Sequence, residues 1–295
     1  MKTKLTTLAE AVSRIPSGAT IAIGGSMVRR QPNALARELI RQGKKDLTVL
    51  TFCAGSATDL LAAAGVVKRW EGVYSGLFWY GQSYNFRRAV ENGQLEVRDF
   101  TEGSMVARFR AAAQGVSFAP TRALLGTDMA KYNPEQVREI RCPFTNETYH
   151  AVAAAEADFT LLHGYIGDEY GNVQMPIIRD SDDIDALMAM ASKRLIVTVE
   201  RIVPHETIIR HPLLTYIPHN LVEAIVHAPY GAHPVACDAF YDTDDDHMAE
   251  YVEMSKNGQA GTYLEHYVLG GDEWSYLEKA GGLQKLMKLN VGGAG

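Results

Sequence analysis

Apolar residues in the first half of the chain alternate between two spacings. Residues 5–15, LTTLAEAVSRI, place Leu5, Leu8, Ala11, Val12 and Ile15 on one face of a helix that Ser17-Gly18 ends. ATIAIGG then reads as a short apolar strand. Pro32 opens the helix NALARELIRQG, with Gly43 as its cap. LTVLTF is a strand, ATDLLAAAG a helix and VVKRWEGVY a strand. NFRRAVENG is a helix ending at Asn92-Gly93, LEVRDF a strand and MVARFRAAAQG a helix. Past residue 150 the pattern predicts a helix over AVAAAEA, a strand over ADFTLLHGYI, a helix over DDIDALMAMASK and a strand over RLIVTVERIV. LVEAIVHAP gives one more short element. Near-continuous apolar strands between amphipathic helices imply an α/β fold, an open, mostly parallel sheet with helices on both faces. Beyond residue 240, DHMAEYVEMSK, AGTYLEHYVLG and DEWSYLEKAGGLQKLMK all read as helices. The expected organisation is an α/β body over 1–240 and a helical C-terminal extension over 241–295 packed on it. No Gly/Ser or Pro linker separates them, and no 20–50-residue repeat occurs.

Composition narrows the function classes. With 295 residues, 46% of them hydrophobic, the chain can bury a large core. Its 29 basic and 35 acidic residues give a net charge of -6, without the positive field that holds nucleic acid by its phosphates. Cys53, Cys142 and Cys237 are an odd number, far apart, with no CxxC pair, so neither a disulfide framework nor a zinc knuckle is indicated. The charged start MKTKLTTLAEAVSRIPSG lacks a signal-peptide core, and no apolar run reaches the ~18 residues of a membrane span. These features point to a reducing cytoplasm.

Several common signatures are missing: GxxxxGK[ST], a GxGxxG after a strand, and GxSxG. His205-Glu206 starts like a zinc-protease helix, but the next histidine is His211, so the i, i+4 pair of imidazoles is lost and no metal is expected. The runs Asp180-Ser181-Asp182-Asp183 and Asp244-Asp245-Asp246 lack calcium-loop spacing and read as helix N-terminal carboxylates or solvated faces. Asn146-Glu147-Thr148 matches a glycosylation sequon that has no meaning without secretion.

Four segments carry chemical information. The turn after the first strand, Gly24-Gly25-Ser26-Met27-Val28-Arg29-Arg30, lets a ligand approach the backbone ahead of a helix. Ser26 can donate a hydrogen bond and Arg29 can clamp an anion; a plain tight turn is the alternative. The strand over 157–167 runs into Asp168-Glu169-Tyr170-Gly171-Asn172, a structural turn or a ligand site at a strand's carboxyl end. Val199-Glu200-Arg201-Ile202-Val203 is a third segment. Ala228-Pro229-Tyr230-Gly231-Ala232-His233-Pro234 is the fourth, its His233 a ligand contact or a packed turn residue.

In this order, GGSM, ADFTLLHGYIGDEYGN, VERIV, and GAHP followed by YDTDDDH resemble the A (alpha) subunit of family I coenzyme A transferases, most closely the glutaconate CoA-transferase type. The resemblance covers about residues 5–247. It implies ping-pong transfer of coenzyme A between carboxylic, possibly dicarboxylic, acids through a glutamyl thioester, with coenzyme A thioester as substrate and no permanently bound cofactor. It also implies a homologous B (beta) subunit that carries the glutamate nucleophile, in an α2β2 heterotetramer. The expected substrate contacts on this chain are Gly24, Gly25, Ser26, Arg29, Ser104, Asn172 and His233.

Val90-Glu91-Asn92-Gly93 superficially matches a beta-subunit signature, but Glu91 falls in the last turn of a helix capped by Asn92-Gly93. Glu102, between a strand and a helix, is the candidate catalytic residue, with an N-cap carboxylate as its alternative. A related branch of two-subunit hydrolases opens rings of steroid-derived CoA thioesters with an alpha-subunit glutamate in a matching turn, so hydrolysis using Glu102 is the second reading. Phe78, Trp79 and Tyr80 are acyl-pocket, interface or core aromatics. A non-catalytic ligand sensor is the third reading.

Overall fold

The four strands expected in the first hundred residues all form in the computed structural model, which describes residues 2–175 and 184–291. In chain order the strands are β1 (Thr20–Ile23), β2 (Leu47–Thr51), β3 (Cys53–Ala54), β4 (Val67–Gly72), β5 (Tyr74–Ser75), β6 (Glu96–Asp99), β7 (Phe118–Thr121), β8 (Val137–Arg141), β9 (Thr148–Ala153), β10 (Phe159–Gly167), β11 (Val173–Gln174), β12 (Leu195–Ile202), β13 (Thr215–Ile217) and β14 (Val222–His227). The helices are α1 (Leu8–Ser13), α2 (Asn33–Arg41), α3 (Ser56–Ala63), α4 (Tyr84–Glu91), α5 (Glu102–Ala113), α6 (Met129–Tyr132), α7 (Ile184–Ala191), α8 (His205–Arg210), α9 (Asp245–Lys256), α10 (Ala260–Tyr263), α11 (Glu273–Lys279) and α12 (Gly282–Leu289).

A parallel sheet runs in the order β14-β12-β10-β1-β2-β4-β6. Antiparallel β11 pairs with the far end of β10, beyond the end of β1, and β13 pairs with β11. Successive residues face opposite layers. Ile21 and Ile23 join the core under α1–α4, whereas Ala22 joins the core under α5 and α7. The expected acidic cap at 244–246 is realised: the Asp244 side chain accepts from the His247 amide, with Asp245 and Asp246 in the first turn of α9. The run 180–183 lies outside the described residues.

Two sequence expectations are corrected, and one sheet is added. Residues 151–157, AVAAAEA, are not helical. Their first half completes β9, which sits between β7 and β8 in a three-stranded antiparallel sheet. Alanine favours helix, but here ladder partners on both sides satisfy the backbone, and alternate residues His150 and Val152 point inward. That small sheet, over 118–153, was not expected at all. At the N-terminus the helix starts at Leu8 rather than Leu5, because Thr7 and Glu10 form a capping box. Leu5 instead bridges Ile225 at the edge of β14.

The C-terminal helices share one core with α2 and α3, through Tyr251, Tyr263, Tyr267, Tyr276 and Leu286. Buried Arg37 of α2 fastens them. Its guanidinium pairs with Glu273, donates to the His233 carbonyl at 2.8 Å and lies 3.7 Å from the Tyr276 ring centre. His233 Nδ1 meets the Tyr276 hydroxyl at 2.7 Å and its Nε2 meets Asp244 at 3.1 Å. His247 Nε2 meets the Tyr263 hydroxyl at 2.8 Å.

Burial disfavours the charged form of both histidines, lowering His233 and pushing His247 from 6.5 down to about 3. Below pH 6.5 the unfolded chain therefore binds a proton at His247 that the native chain refuses until about pH 3. Stability falls as pH drops through that window, by up to about 1.4 kcal/mol per pH unit for this group. Thermal unfolding between pH 7 and pH 5 is expected to show a falling midpoint, with a shallower slope in His247→Phe. An equal slope in that variant would contradict the assignment.

Candidate active site

The chain winds from β1 outward through β2, β4 and β6, then returns to β10 on the other side of β1 and continues to β12 and β14. The winding direction thus reverses between β1 and β10, where open α/β sheets bind ligands at the strands' carboxyl ends. The turns over 24–30 and 168–172 both leave the sheet at this edge.

The chain itself fills much of the first turn. The Gly24 amide donates to Leu161 at 3.0 Å, the Gly25 amide to Asp185 at 3.0 Å, the Ser26 amide to Arg29 at 2.9 Å and the Met27 amide to Cys53 at 3.1 Å. These four turn amides are therefore engaged within the protein. The glycines serve close approach instead. A side chain on Gly24 would fall 2.2 Å from Leu162, and Gly25 holds φ +75. Asp185, in the first turn of α7, also forms a buried ion pair with Arg30 at 2.6 Å. Ser26 and Arg29 remain partly exposed; Arg29 lies 3.6 Å from Asp238 in an open pair of the kind that holds weakly.

Glu200, at the end of β12, joins the other three segments. Its Oε1 lies 2.6 Å from His163 Nε2 on β10 and accepts from the Tyr241 hydroxyl at 2.9 Å. Its Oε2 accepts the Tyr230 amide at 2.7 Å. His163 Nδ1 is held by Thr198 at 2.8 Å. Burial, then the Glu200 charge, raises the Tyr241 hydroxyl well above its ordinary value. Sequence reasoning singled out these segments without joining them. The signal was present: His163 and Glu200 are polar residues inside adjacent apolar strands, and buried polar groups must pair.

His163, Glu200 and Cys237 place one ligand atom each within 4.8 Å of one another, the one such group of three among the described residues. Both imidazole nitrogens and both carboxylate oxygens already have protein partners, and burial pushes the Cys237 thiol up, keeping it protonated. His163 and Glu200 are built into a hydrogen-bond network, with the Cys237 thiol packed beside it.

Asp168 organises the second turn. Its side chain accepts the amides of Tyr170 and Asn172 and the Asn172 side-chain amide, and meets His205 Nδ1 at 2.7 Å. Burial raises its pKa, but these bonds, led by His205, outweigh that and hold it low. Asn172, 9% exposed, passes the link on to the His219 amide. His205, half of the rejected zinc pair, is thus a partner of Asp168.

Glu102 is exposed at the first position of α5, and no described hydrogen bond or ion pair holds its carboxylate. Its N-cap alternative is excluded, because Thr101 occupies that position and accepts the Ser104 amide at 3.3 Å. Ser104 is fully buried and donates back to the Thr101 carbonyl. His233 is also fully buried, with both ring nitrogens occupied, so it fastens the C-terminal helices rather than facing a ligand. Glu91 ends α4 and pairs with Arg87, as its helical position required. Phe78 and Trp79 are 51% and 64% exposed, which rules out the core alternative for them, whereas Tyr80, its ring tilted against Trp79, packs on the core under α1–α4.

The coenzyme A transferase family model matches residues 5–228. The A (alpha) subunit of 3-oxoadipate CoA-transferase from Pseudomonas knackmussii is 32% identical over 92% of this chain and 96% of its own length. The cholesterol ring-cleaving hydrolase IpdA subunit of Mycobacterium tuberculosis is 33% identical over 94% of this chain and 96% of its own. An uncharacterised protein of Archaeoglobus fulgidus is 37% identical over 98% of this chain, which spans 65% of that protein's length. The solved structure of glutaconate coenzyme A-transferase from Acidaminococcus fermentans superposes with a TM-score of 0.92 at 31% identity, covering 98% of this chain and 96% of that one. No described helix is long and apolar enough to cross a membrane.

Removing the Glu200 carboxylate strands three buried donors at once. Urea unfolding of Glu200→Ala is expected to show a loss of about 3 kcal/mol, with a smaller loss in Glu200→Gln, which keeps the shape and one acceptor. A loss below about 0.5 kcal/mol in Glu200→Ala would show that the network does not bind the loops.

Proposed function

Because the chain belongs to the coenzyme A transferase family, we propose that it is the alpha subunit of a heteromeric enzyme moving coenzyme A between carboxylic acids. The observation that carries this reading is the end-to-end match to the alpha subunit of a CoA-transferase, covering 96% of that relative. The proposed partner is a homologous beta subunit in an α2β2 assembly, with the attacking glutamate on the partner. The carboxylates of this chain fit that division of labour. Glu200, Asp168 and Glu71 are buried, Glu200 and Asp168 in hydrogen-bond networks and Glu71 against Arg108, so none is placed to attack a thioester. The thioester is substrate, and no resident cofactor is proposed. Free Cys53, Cys142 and Cys237 suit a reducing cytoplasm.

In the proposed exchange the partner's glutamate attacks the acyl-CoA carbonyl and expels the CoA thiolate, forming an acyl-glutamyl anhydride. The thiolate then attacks the glutamyl carbonyl, releasing the first acid and leaving a glutamyl-CoA thioester. The second acid reverses these steps. On this chain, Ser26 and Arg29 offer a hydroxyl and a guanidinium at the switch-point edge for an acid or phosphate group. Gly24, Gly25, Asn172 and His233 belong to the turns and loop at that edge, and Ser104 to the start of α5 beside Glu102; all five stay proposed as substrate-site residues.

One observation favours the second reading, thioester hydrolysis or ring opening: the unheld carboxylate of Glu102 at a strand-to-helix turn. The test is co-expression with the product of the neighbouring reading frame, then incubation with acyl-CoA and intact-mass analysis. Transfer predicts covalent CoA on the partner and none on this chain, with retention of the adduct in Glu102→Gln. Thioester hydrolysis predicts free CoA without a second acid, and ring opening predicts an acyl-CoA heavier by one water, either abolished in Glu102→Gln. Full transferase turnover by this chain alone would overturn both.

A further inference from the structure

Behind the hairpin that carries Phe78, Trp79 and Tyr80 lies a cleft of about 570 Å³, bounded by β5, α4 and β6. Its volume is in the range of small-molecule sites. Ser75 and Ser83 form one end, and Phe86, Val90 and Val97 line the rest. Ser83 is only 2% exposed, yet its hydroxyl has no hydrogen-bond partner, and neither does the buried hydroxyl of Ser75.

A serine placed just before a helix ordinarily turns its hydroxyl onto the amide of the third helical residue. In α4 that amide, Phe86, is already taken at 2.9 Å by Asp59 of α3. Asp59 is itself locked there, accepting from the Asn85 side chain at 2.9 Å and from the Tyr251 hydroxyl at 2.6 Å. One helix thus caps the other from behind, and Ser83 is left facing the cleft. The backbone that brings it there is constrained. Gly81 sits at φ 120, ψ -152, and Phe78 holds φ +55, conformations that persist only where the surroundings impose them.

The polar end offers two hydroxyl donors, Ser75 and Ser83, while the Asn85 and Phe86 amides at the start of α4 are already held by Asp59. The walls offer hydrocarbon. Along the cleft Arg87 is engaged by Gln82 at 2.9 Å and by Glu91 at 2.7 Å, so it presents a neutralised pair and no cation to receive a second carboxylate. We propose that this cleft binds a small aliphatic monocarboxylate, its carboxylate on the Ser75 and Ser83 hydroxyls and its chain along Phe86, Val90 and Val97. The site needs only this chain and stands independently of the transferase reading.

Calorimetric titration of the full chain with hexanoate tests it, with hexanol and adipate as competitors of known chemistry. Saturable hexanoate binding is expected, with hexanol and adipate each weaker. Ser83→Ala is expected to weaken hexanoate about tenfold by removing a hydrogen bond to a charged group, while its melting temperature matches the wild type. Ser75→Ala is expected to act in the same direction. Equal affinity for hexanol, undiminished hexanoate binding in both serine variants, or no saturable hexanoate binding would each overturn the proposal.

Discussion

A buried carboxylate, Glu200, holds the far half of the sheet's carboxyl edge together. It receives an imidazole from β10, a backbone amide from the loop after β14 and the Tyr241 hydroxyl that follows. A charge this deep is tolerable only if every lone pair is met, and each partner then becomes fixed by the others. The loop it fixes is the one that contacts the first turn: the Gly231 carbonyl accepts from Ala34 of α2, and the Ala236 carbonyl accepts from Arg30. The turn at the switch point is therefore shaped from two sides, by Asp185 of α7 and by a loop whose position depends on Glu200.

The same loop ties the C-terminal helices to the body. His233 presents its carbonyl to Arg37 and its ring to Asp244 and Tyr276. With the tyrosines of α9 to α11 packed in the α2 and α3 core, these helices are part of what keeps the edge rigid. They carry no recognised chemical motif, and their role is visible only through these contacts. Tyr251 extends it further, since its hydroxyl helps hold the Asp59 that caps α4.

Local periodicity made the parallel sheet legible, because strands buried on both faces are continuously apolar and the helices between them are not. It failed where partners decided the outcome. AVAAAEA carries a helical composition, and only β7 and β8 on either side make it a strand. At the candidate site, the four segments were legible as segments, but their convergence was not. Nothing local says that Glu200 meets the Tyr230 amide, or that Asp185, an acidic residue early in a helix, reaches back to Gly25 and Arg30. Glycine pairs also read the same whether they admit a ligand or a neighbouring strand, and here Leu162 and Asp185 occupy the space. Ser83 was invisible for the opposite reason: in sequence it is an ordinary capping residue, and its freedom follows from Asp59 having taken the amide.

Electrostatics sets the remaining constraint. A chain of net charge -6 that handles anionic acids and thioesters cannot attract them by its overall field. Its deeply placed cations do not help, because Arg30, Arg37 and Arg108 are neutralised by Asp185, Glu273 and Glu71. What remains is local: the exposed Arg29 guanidinium, the Ser26 hydroxyl, and the hydroxyls at the Ser83 cleft. Such donors select an anion by geometry once it arrives, and they act over only a single hydrogen bond. On the proposed reading, long-range attraction of coenzyme A then falls to the partner subunit. On the same reading this chain contributes a preorganised wall, its turns fixed by Glu200, Asp168 and Asp185.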